Sequence, residues 1–163
     1  MGIKAIRIGC TKKRTSPEKL ETKRASYQVK KANGTIVSLT TDQFETISKV
    51  ASITNVLPYD LMAICLQESG CNDQAIGDNG AAIGAFQINV LYHRGEEEAA
   101  KNFEYSAKWT AKRMIRLGYN KDDVNSRYYA IWNHNGVVRG VNEYYPEIVM
   151  EYSRQLEPYF TLI

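Results

Sequence analysis

The chain has 163 residues, of which 44% are apolar and 24% charged, the composition of a soluble globular protein with one domain. These values exclude a fibre and a wholly disordered chain, and since no run reaches about eighteen apolar residues, no transmembrane helix is expected. The net charge of +3 is unevenly spread, because residues 1–31 hold ten Lys or Arg against two Glu. A basic segment on a mildly acidic body predicts either attraction to a polyanion or simply a solvated arm.

The basic segment, residues 1–40, contains structural signals of its own. Residues 3–8 predict a short strand, whereas the charged stretch 11–24 predicts a loop or disorder. From Tyr27 to Leu39, β-forming residues lie on either side of Asn33-Gly34, the strongest two-residue hairpin signal, so a β-hairpin is expected. Residues 1–10 lack the continuous apolar stretch of a secretory signal, which leaves the route of export open.

Residues 41–163 predict a mainly helical domain. Asp42 and Glu45 have the spacing of a capping box, Pro58 suits the first turn of a helix, and Gly70 suits a helix end. The predicted helices cover residues 42–53, 58–68, 96–117, 122–132 and 140–155. The helix 96–117 is expected to bury an apolar stripe formed by Phe103, Ala107, Thr110, Ala111, Met114 and Leu117. The intervening residues 72–89 are glycine-rich, which favours a loop or a short β-structure.

The three cysteines are Cys10, Cys65 and Cys71. Their spacing is not that of a zinc site, and no metal or organic cofactor is predicted. The odd count argues against a full disulfide framework. Cys65 and Cys71 either close one bridge, if the chain lives outside the cytosol, or remain buried thiols, and buried thiols are the default interpretation.

Glu68 is the main catalytic candidate. It ends an apolar helix in which Leu61, Ile64 and Cys65 share its face, and a glycine-rich stretch follows. Desolvation at such a junction disfavours the charged carboxylate and raises its pKa. A protonated carboxylic acid is the general acid that cleavage of a glycosidic bond requires. The alternative is an ordinary solvated or capping glutamate.

Four sequence motifs, in a fixed order, include or follow Glu68. They are Gln67-Glu68-Ser69-Gly70, Gly84-Ala85-Phe86-Gln87-Ile88, Ala130-Ile131-Trp132-Asn133-His134-Asn135-Gly136 and Glu143-Tyr144-Tyr145-Pro146. Together they resemble the lysozyme-like superfamily, specifically the soluble lytic transglycosylases and goose-type lysozymes, over about residues 43–152. Trp132 stands where that family usually has Tyr, and residues 1–40 match nothing in it.

The resemblance implies a mainly α, lysozyme-like α+β fold with a small glycine-rich β-element beside a cleft. It also implies cleavage of the β-1,4 bond between N-acetylmuramic acid and N-acetylglucosamine in bacterial peptidoglycan. Glu68 is then the general acid and later the base, and Ser69 supports the site by hydrogen bonding. Gly84 lets the glycan lie close to the backbone.

The resemblance assigns the remaining substrate-binding residues as well. Gln87 contacts the sugar or holds the cleft wall, and Asn133 orients the N-acetyl group or the acid. Phe86 and Asn89 are also expected to bind the substrate. Tyr144 is expected near Glu68 across the cleft.

Asp78 is the candidate for a second catalytic carboxylate. It lies in Gly77-Asp78-Asn79-Gly80, which is similar to the goose-type segment that carries an aspartate. A lytic transglycosylase needs no such base, because the muramyl 6-hydroxyl is its nucleophile and the product has a 1,6-anhydro end. A hydrolytic muramidase would use Asp78 to activate water. The alternative for Asp78 is a turn residue, since Asp before Asn-Gly is favourable turn chemistry.

The two histidines carry weaker signals. His134 neighbours the Asn133 motif and either lines the cleft or, as is more common, lies on the surface. His93 has no evident partner in the sequence.

The favoured function is a lytic transglycosylase acting at the bacterial cell wall, periplasmic or extracellular, with peptidoglycan glycan strands as its partner. Hydrolytic muramidase activity and a non-catalytic wall-binding module are the alternatives. The basic segment is a candidate for binding an anionic wall polymer or a membrane surface. No specific nucleic acid is expected, because no nucleic-acid-binding motif is present.

Overall fold

The computed structural model describes residues 27–136 and 143–161. The expected strand 3–8 and the loop 11–24 lie outside these residues. The described part is mainly helical with two small sheets. Its elements are β1 (Tyr27–Lys30), β2 (Ile36–Leu39), α1 (Thr41–Thr54), α2 (Pro58–Ser69), β3 (Ile76–Gly77), a 3-10 turn (Asp78–Gly80), β4 (Ala82–Ile83), β5 (Ile88–Asn89), α3 (Glu97–Lys101), α4 (Phe103–Arg116), α5 (Val124–Asn135), α6 (Tyr145–Leu156) and α7 (Pro158–Thr161).

The predicted β-hairpin is present between Tyr27 and Leu39. Its strands pair antiparallel with Lys30 opposite Ile36, so five residues connect them rather than the two of an Asn-Gly turn. The connection is closed by a hydrogen bond from the Lys31 amide to the Thr35 carbonyl (2.8 Å). The hairpin is attached to α6, because the Gln155 side chain accepts from the Lys30 amide and donates to the Lys30 carbonyl.

The core centres on α2. Residues 61–66 of this helix are all fully buried, because α1, α4, α6 and the hairpin pack around it. Helix α6 lies antiparallel to α2, with Glu68 beside Tyr145 at one end and Asp60 beside Ser153 at the other. Val29 and Leu39 of the hairpin belong to the same core cluster.

The start of α1 differs from the predicted capping box. Thr40, rather than Asp42, is the N-cap: its hydroxyl accepts from the Gln43 amide (3.2 Å), and the Gln43 side chain accepts from the Thr40 amide (3.0 Å). The capping box therefore begins two residues earlier than predicted, and Gln43 takes the place of the glutamate at its third helical position.

The predicted long helix 96–117 is wrong as a single element. It is divided into α3 and α4 at Asn102, whose backbone is extended. The Asn102 side chain accepts from the Tyr105 amide (2.8 Å) and so caps α4. The predicted apolar stripe of α4 is confirmed, with Ala107, Ala111 and Met114 fully buried.

The other helix predictions are close to the observed bounds. Helix α2 ends where expected, with Gly70 in the left-handed conformation at its C-cap. Helix α5 begins after Asp123, which caps it by accepting from the Asn125 amide (3.0 Å). The last long helix begins at Tyr145 and not at residue 140, and residues 137–142 lie outside the described part.

The glycine-rich stretch 72–89 forms a small antiparallel sheet in the order β3-β4-β5. Each strand has two residues, and the 3-10 turn connects β3 to β4. The structure therefore has the short β-structure and not a plain loop. In the part of the chain that the structure describes, none of the helices has the length and apolar character needed to cross a membrane.

Candidate active site

Glu68 occupies the second-last position of α2, beside the glycine-rich sheet. The helix places it there because Pro58 begins the helix and Gly70 ends it, with φ +67°. The side chain is partly buried, and the Tyr145 hydroxyl donates a hydrogen bond of 2.5 Å to its Oε1. Two elements far apart in sequence, α2 and α6, thus meet at this carboxyl group.

The pKa of Glu68 is raised to about 7, and burial is the largest cause. The hydrogen bond from Tyr145 acts in the opposite direction by stabilising the carboxylate, while the nearby charge of Asp78 contributes to the rise. The pKa of Tyr145 is itself raised well above its ordinary value by burial and by Glu68, so its hydroxyl remains a donor. A carboxyl group that is protonated around neutral pH can act as a general acid.

Tyr145, and not Tyr144, is the tyrosine beside Glu68. The expected residue, Tyr144, is 72% exposed, whereas Tyr145 is 4% exposed. The sequence contained a signal for this. Tyr145, Val149, Tyr152 and Leu156 are spaced at helical intervals and are all buried, so Tyr145 lies on the inward face of α6 and Tyr144 precedes the helix.

Ser69 connects the end of α2 to the sheet. Its hydroxyl donates to the Ala85 carbonyl (2.7 Å) and accepts from the Asn72 amide (3.0 Å). These bonds hold the chain that follows Glu68 against the segment between β4 and β5.

A disulfide also fixes this helix end. It joins Cys65 to Cys71, one on each side of Glu68, and both sulfur-bearing residues are buried. The default interpretation of unpaired thiols is therefore wrong. The left-handed Gly70 turns the chain back so that the Cys71 amide donates to the Cys65 carbonyl (3.1 Å), which brings the two cysteines together.

Gly84 is required by the packing of the protein itself. Its φ is +79°, and a Cβ there would collide with the backbone carbonyl of Ala100 in α3. The close approach that the sequence predicts for a glycan is thus occupied on this side by protein backbone. The position that a side chain of residue 84 would take is therefore inside the protein and not in an open cleft.

Gln87 uses its side-chain amide inside the sheet. It adopts a left-handed φ of +47°, and its Nε2 donates to the carbonyls of Gly84 (2.9 Å) and Ala75 (3.4 Å). These bonds are structural, because they join the residue before β5 to the residues just before β3 and just after β4.

Phe86 and Asn89 are also structural where the sequence predicts substrate contacts. Phe86 is 1% exposed and packs in the core against Phe103, with ring centroids 6.1 Å apart, so it has no surface for a ligand. The Asn89 side chain accepts from the amides of Leu91 (3.1 Å) and Tyr92 (3.4 Å) and so forms the turn after β5.

Asp78 lies in the 3-10 turn on the sheet side of Glu68. Its side chain is exposed, and its φ of +47° is left-handed, which suits a turn residue. It is also close enough for its charge to raise the pKa of Glu68. The turn role and the proximity to Glu68 are therefore both present in the structure.

Asn133 lies in the last turn of α5 with an exposed side chain. Next to it on the same helix is an aromatic surface formed by Tyr128, Tyr129 and Trp132. The rings of Tyr129 and Trp132 are stacked 6.2 Å apart, and Tyr129 is 56% exposed.

The two histidines are more enclosed than the sequence suggests. His134 Nδ1 is buried, and no described residue hydrogen-bonds to it. Burial, with Arg113 and His93 nearby, lowers the pKa of His134 to about 3, and the side chain as a whole is partly buried. The rings of His93 and Trp109 meet edge to face with their centroids 4.6 Å apart. Burial also lowers the pKa of His93. Both are neutral near pH 7 and are poor proton donors there.

A further carboxylate, Asp60, is buried away from the residues that the sequence motifs mark. Asp60 is fully buried at the start of α2 and accepts two hydrogen bonds of 2.8 Å from Arg127, one of 2.6 Å from Tyr119 and one from Ser153. All these partners are distant in sequence, so no local motif marked it. Because every partner is a protein donor, Asp60 is a structural and not a catalytic group.

Within residues 27–136 and 143–161, no three His, Cys, Asp or Glu side chains come together as ligands for a metal ion. The site residues that the structure brings together are Glu68, Tyr145, Ser69 and Asp78. The sequence matches no protein-family model, and no curated protein is significantly similar to it.

Proposed function

We propose that this protein cleaves the β-1,4 bond between N-acetylmuramic acid and N-acetylglucosamine in bacterial peptidoglycan, as a lysozyme-like lytic transglycosylase. The observation that carries the proposal is the state of Glu68. Its partly buried carboxyl group has a pKa of about 7, so it is protonated in a large fraction of molecules at neutral pH. The substrate is inferred from the sequence motifs around Glu68, whose order resembles that of enzymes that cleave peptidoglycan glycan strands.

The proposed reaction uses one carboxyl group twice. Glu68 donates its proton to the glycosidic oxygen as the bond from that oxygen to the muramyl C1 breaks. The muramyl 6-hydroxyl then attacks C1 and gives its proton to the Glu68 carboxylate, which restores the acid. The Tyr145 hydrogen bond stabilises the carboxylate between these two steps.

Hydrolysis is the second candidate, and Asp78 is the reason to keep it. Its charge acts on Glu68, so the two carboxyl groups share one site. In inverting glycosidases a second carboxylate activates water from about 6.5–9.5 Å away. An exposed carboxylate in a turn beside the general acid is compatible with that role.

Two further features of the chain support a wall substrate. The exposed Tyr129 and the partly buried Trp132, stacked beside Asn133, suit contact with sugar rings. The Cys65–Cys71 disulfide suits a protein that works in an oxidising compartment, such as the periplasm or the cell exterior. Attraction of the basic segment 1–31 to an anionic wall polymer or membrane surface belongs to the same proposal.

The test is digestion of purified peptidoglycan with analysis of the released muropeptides by mass spectrometry. Wild-type protein is compared with Glu68→Gln and with Glu45→Gln, a matched change at an exposed position of α1. We expect Glu68→Gln to lose about 100-fold or more in rate, the size of a general-acid contribution, while Glu45→Gln keeps full rate. Lysis that survives in Glu68→Gln, or absent lysis by wild-type protein, contradicts the proposal and favours a wall-binding module.

The product ends separate the two reactions. Anhydromuramyl ends, one water lighter, establish transglycosylation, and Asp78→Asn then retains most of the rate. Reducing ends establish hydrolysis, and Asp78→Asn is then expected to lose most of it.

A further inference from the structure

A groove of about 550 Å³ lies between the hairpin and α6. Lys30 and Lys31 form one wall, and Glu147, Ile148 and Glu151 form the other. Gln67, the residue directly before Glu68, also lines it. The volume is in the range of known ligand sites, and the residues of the proposed reaction are not among those that form it.

The groove has an acidic and a basic wall, and the carboxylates of the acidic wall already have partners within the protein. Glu147 accepts from the Tyr128 hydroxyl (2.7 Å), and Glu151 is paired with Arg154 (2.7 Å). Neither lysine ammonium forms an ion pair with any carboxylate of residues 27–136 and 143–161. Lys31 is moreover partly buried, which increases the strength of its interaction with an anion. The two lysines are therefore available to pair with carboxylates of a ligand.

The groove is also near the proposed reaction centre. Ile148 follows Tyr145 by three residues on α6, so the two lie on neighbouring turns, about 5 Å apart along the axis. On α2, Gln67 lines the groove and directly precedes Glu68 in the chain. A chain attached to a sugar beside Glu68 would need to span only a few residues to enter the groove, since an extended peptide covers about 3.5 Å per residue.

We propose that this groove binds the peptide stem of peptidoglycan, with Lys30 and Lys31 holding stem carboxylates. The inference rests on the proposed function, because the glycan must first be placed at Glu68. The hairpin thereby becomes a substrate-binding part of the protein. The consequence is a preference for glycan strands that still carry their stems.

The experiment compares two substrates prepared from the same sacculi, namely glycan strands before and after an amidase has removed the stems. The proteins are wild type, the double variant Lys30→Ala/Lys31→Ala, the charge-preserving Lys30→Arg/Lys31→Arg, and Lys112→Ala as a control at an exposed lysine of α4. The backbone bonds of the hairpin turn do not involve the lysine side chains, so the alanine variant is expected to fold.

We expect the alanine variant to lose about fivefold in kcat/KM on stem-bearing strands and nothing on stem-free strands. The arginine variant and Lys112→Ala should match wild type on both. An equal loss on both substrates, or no loss on either, overturns the inference.

A failure of the proposed function is distinguishable from a failure of this inference. If wild-type protein cuts neither substrate, the groove is tested by measuring how the same two strand preparations bind to the immobilised proteins. Stem-dependent binding that the alanine variant loses supports the groove, and binding that is equal for both preparations, or absent, overturns it.

Discussion

At the scale of the residue, two opposing effects act on the Glu68 carboxyl group. Burial and the charge of Asp78 favour its protonated form, while the Tyr145 hydroxyl favours its ionised form. The balance leaves the pKa near 7, so both forms are accessible at neutral pH. An acid that must later act as a base needs this balance.

Glu68 should reduce the stability of the folded protein at alkaline pH. Its folded-state pKa of about 7 lies above the ordinary value of 4.5, so between these values the folded protein binds more protons than the unfolded chain. The free energy of unfolding therefore falls as pH rises through this window, by up to about 3 kcal/mol. Glu68→Gln should raise the melting temperature at pH 8 and change it much less at pH 4, as measured by calorimetry.

The exposed Glu45→Gln serves as the control for that measurement. It should shift the melting temperature by a similar small amount at both pH values. A Glu68→Gln variant that is no more stable than wild type at pH 8 would contradict the raised pKa.

Tyr145→Phe should move the alkaline limb of the activity profile. The Tyr145 hydrogen bond lowers the pKa of Glu68, so its loss raises that pKa and shifts the fall in kcat/KM to higher pH. The rate at the optimum should also decrease, because the carboxylate loses its donor. Tyr144→Phe changes an exposed tyrosine one residue away, so it should leave both the alkaline limb and the rate at the optimum unchanged. The pH dependence of peptidoglycan turbidity loss measures both, and identical effects of the two variants would exclude the positioning role of Tyr145.

At the scale of the element, the end of α2 is where local sequence and long-range contacts meet. Gly70 ends the helix, the Cys65–Cys71 bridge fastens the following loop, and Ser69 binds the sheet through the Ala85 carbonyl. Glu68 is thus held on a rigid helix end and not on a loose loop. The geometry of a catalytic acid depends on such fixation.

Loss of the bridge should lower stability by a moderate amount. The short loop between Cys65 and Cys71 predicts about 2 kcal/mol from chain entropy, so Cys71→Ser should lower the free energy of unfolding by that amount. Denaturation curves with and without a thiol reductant measure it: the reductant should destabilise wild type and leave Cys71→Ser unaffected. Cys10→Ser should behave as wild type, and a wild-type curve that does not respond to the reductant would contradict the bridge.

At the scale of the whole molecule, Asp60 connects parts of the chain that no single element connects. Arg127 comes from α5, Ser153 from α6 and Tyr119 from the segment between α4 and α5. The Tyr119 hydroxyl also accepts from the Leu57 amide before α2 (3.1 Å). The network is at the end of α2 opposite Glu68, so it orients α6 and thereby Tyr145.

Asp60→Asn should be strongly destabilising. It leaves the Arg127 guanidinium, whose side chain is 16% exposed, without its counter-charge, a loss of about 3–5 kcal/mol. Chemical denaturation measures the change, and Asp122→Asn, an exposed aspartate in the loop before α5, should change stability by less than about 0.5 kcal/mol. A loss of similar size in both variants would mean that the network contributes nothing specific.

Several elements follow from local chemistry along the chain. Proline and glycine mark the two ends of α2, the Asn33-Gly34 region marks the hairpin, and the apolar stripe of α4 marks its buried face. The break at Asn102 was missed because a continuous helical pattern spans it, while the local cap ends one helix and begins another.

The surroundings of Glu68, in contrast, depend on long-range packing. The tyrosine that contacts it is 77 residues away, and helical phase, which selects Tyr145 over Tyr144, becomes clear only once the start of α6 is known. Phe86 and Gly84 likewise proved to be packing residues, since their neighbours Phe103 and Ala100 belong to other elements. Spacing along a chain places a carboxyl group at a helix end, but desolvation and a distant hydroxyl, both products of packing, set its pKa.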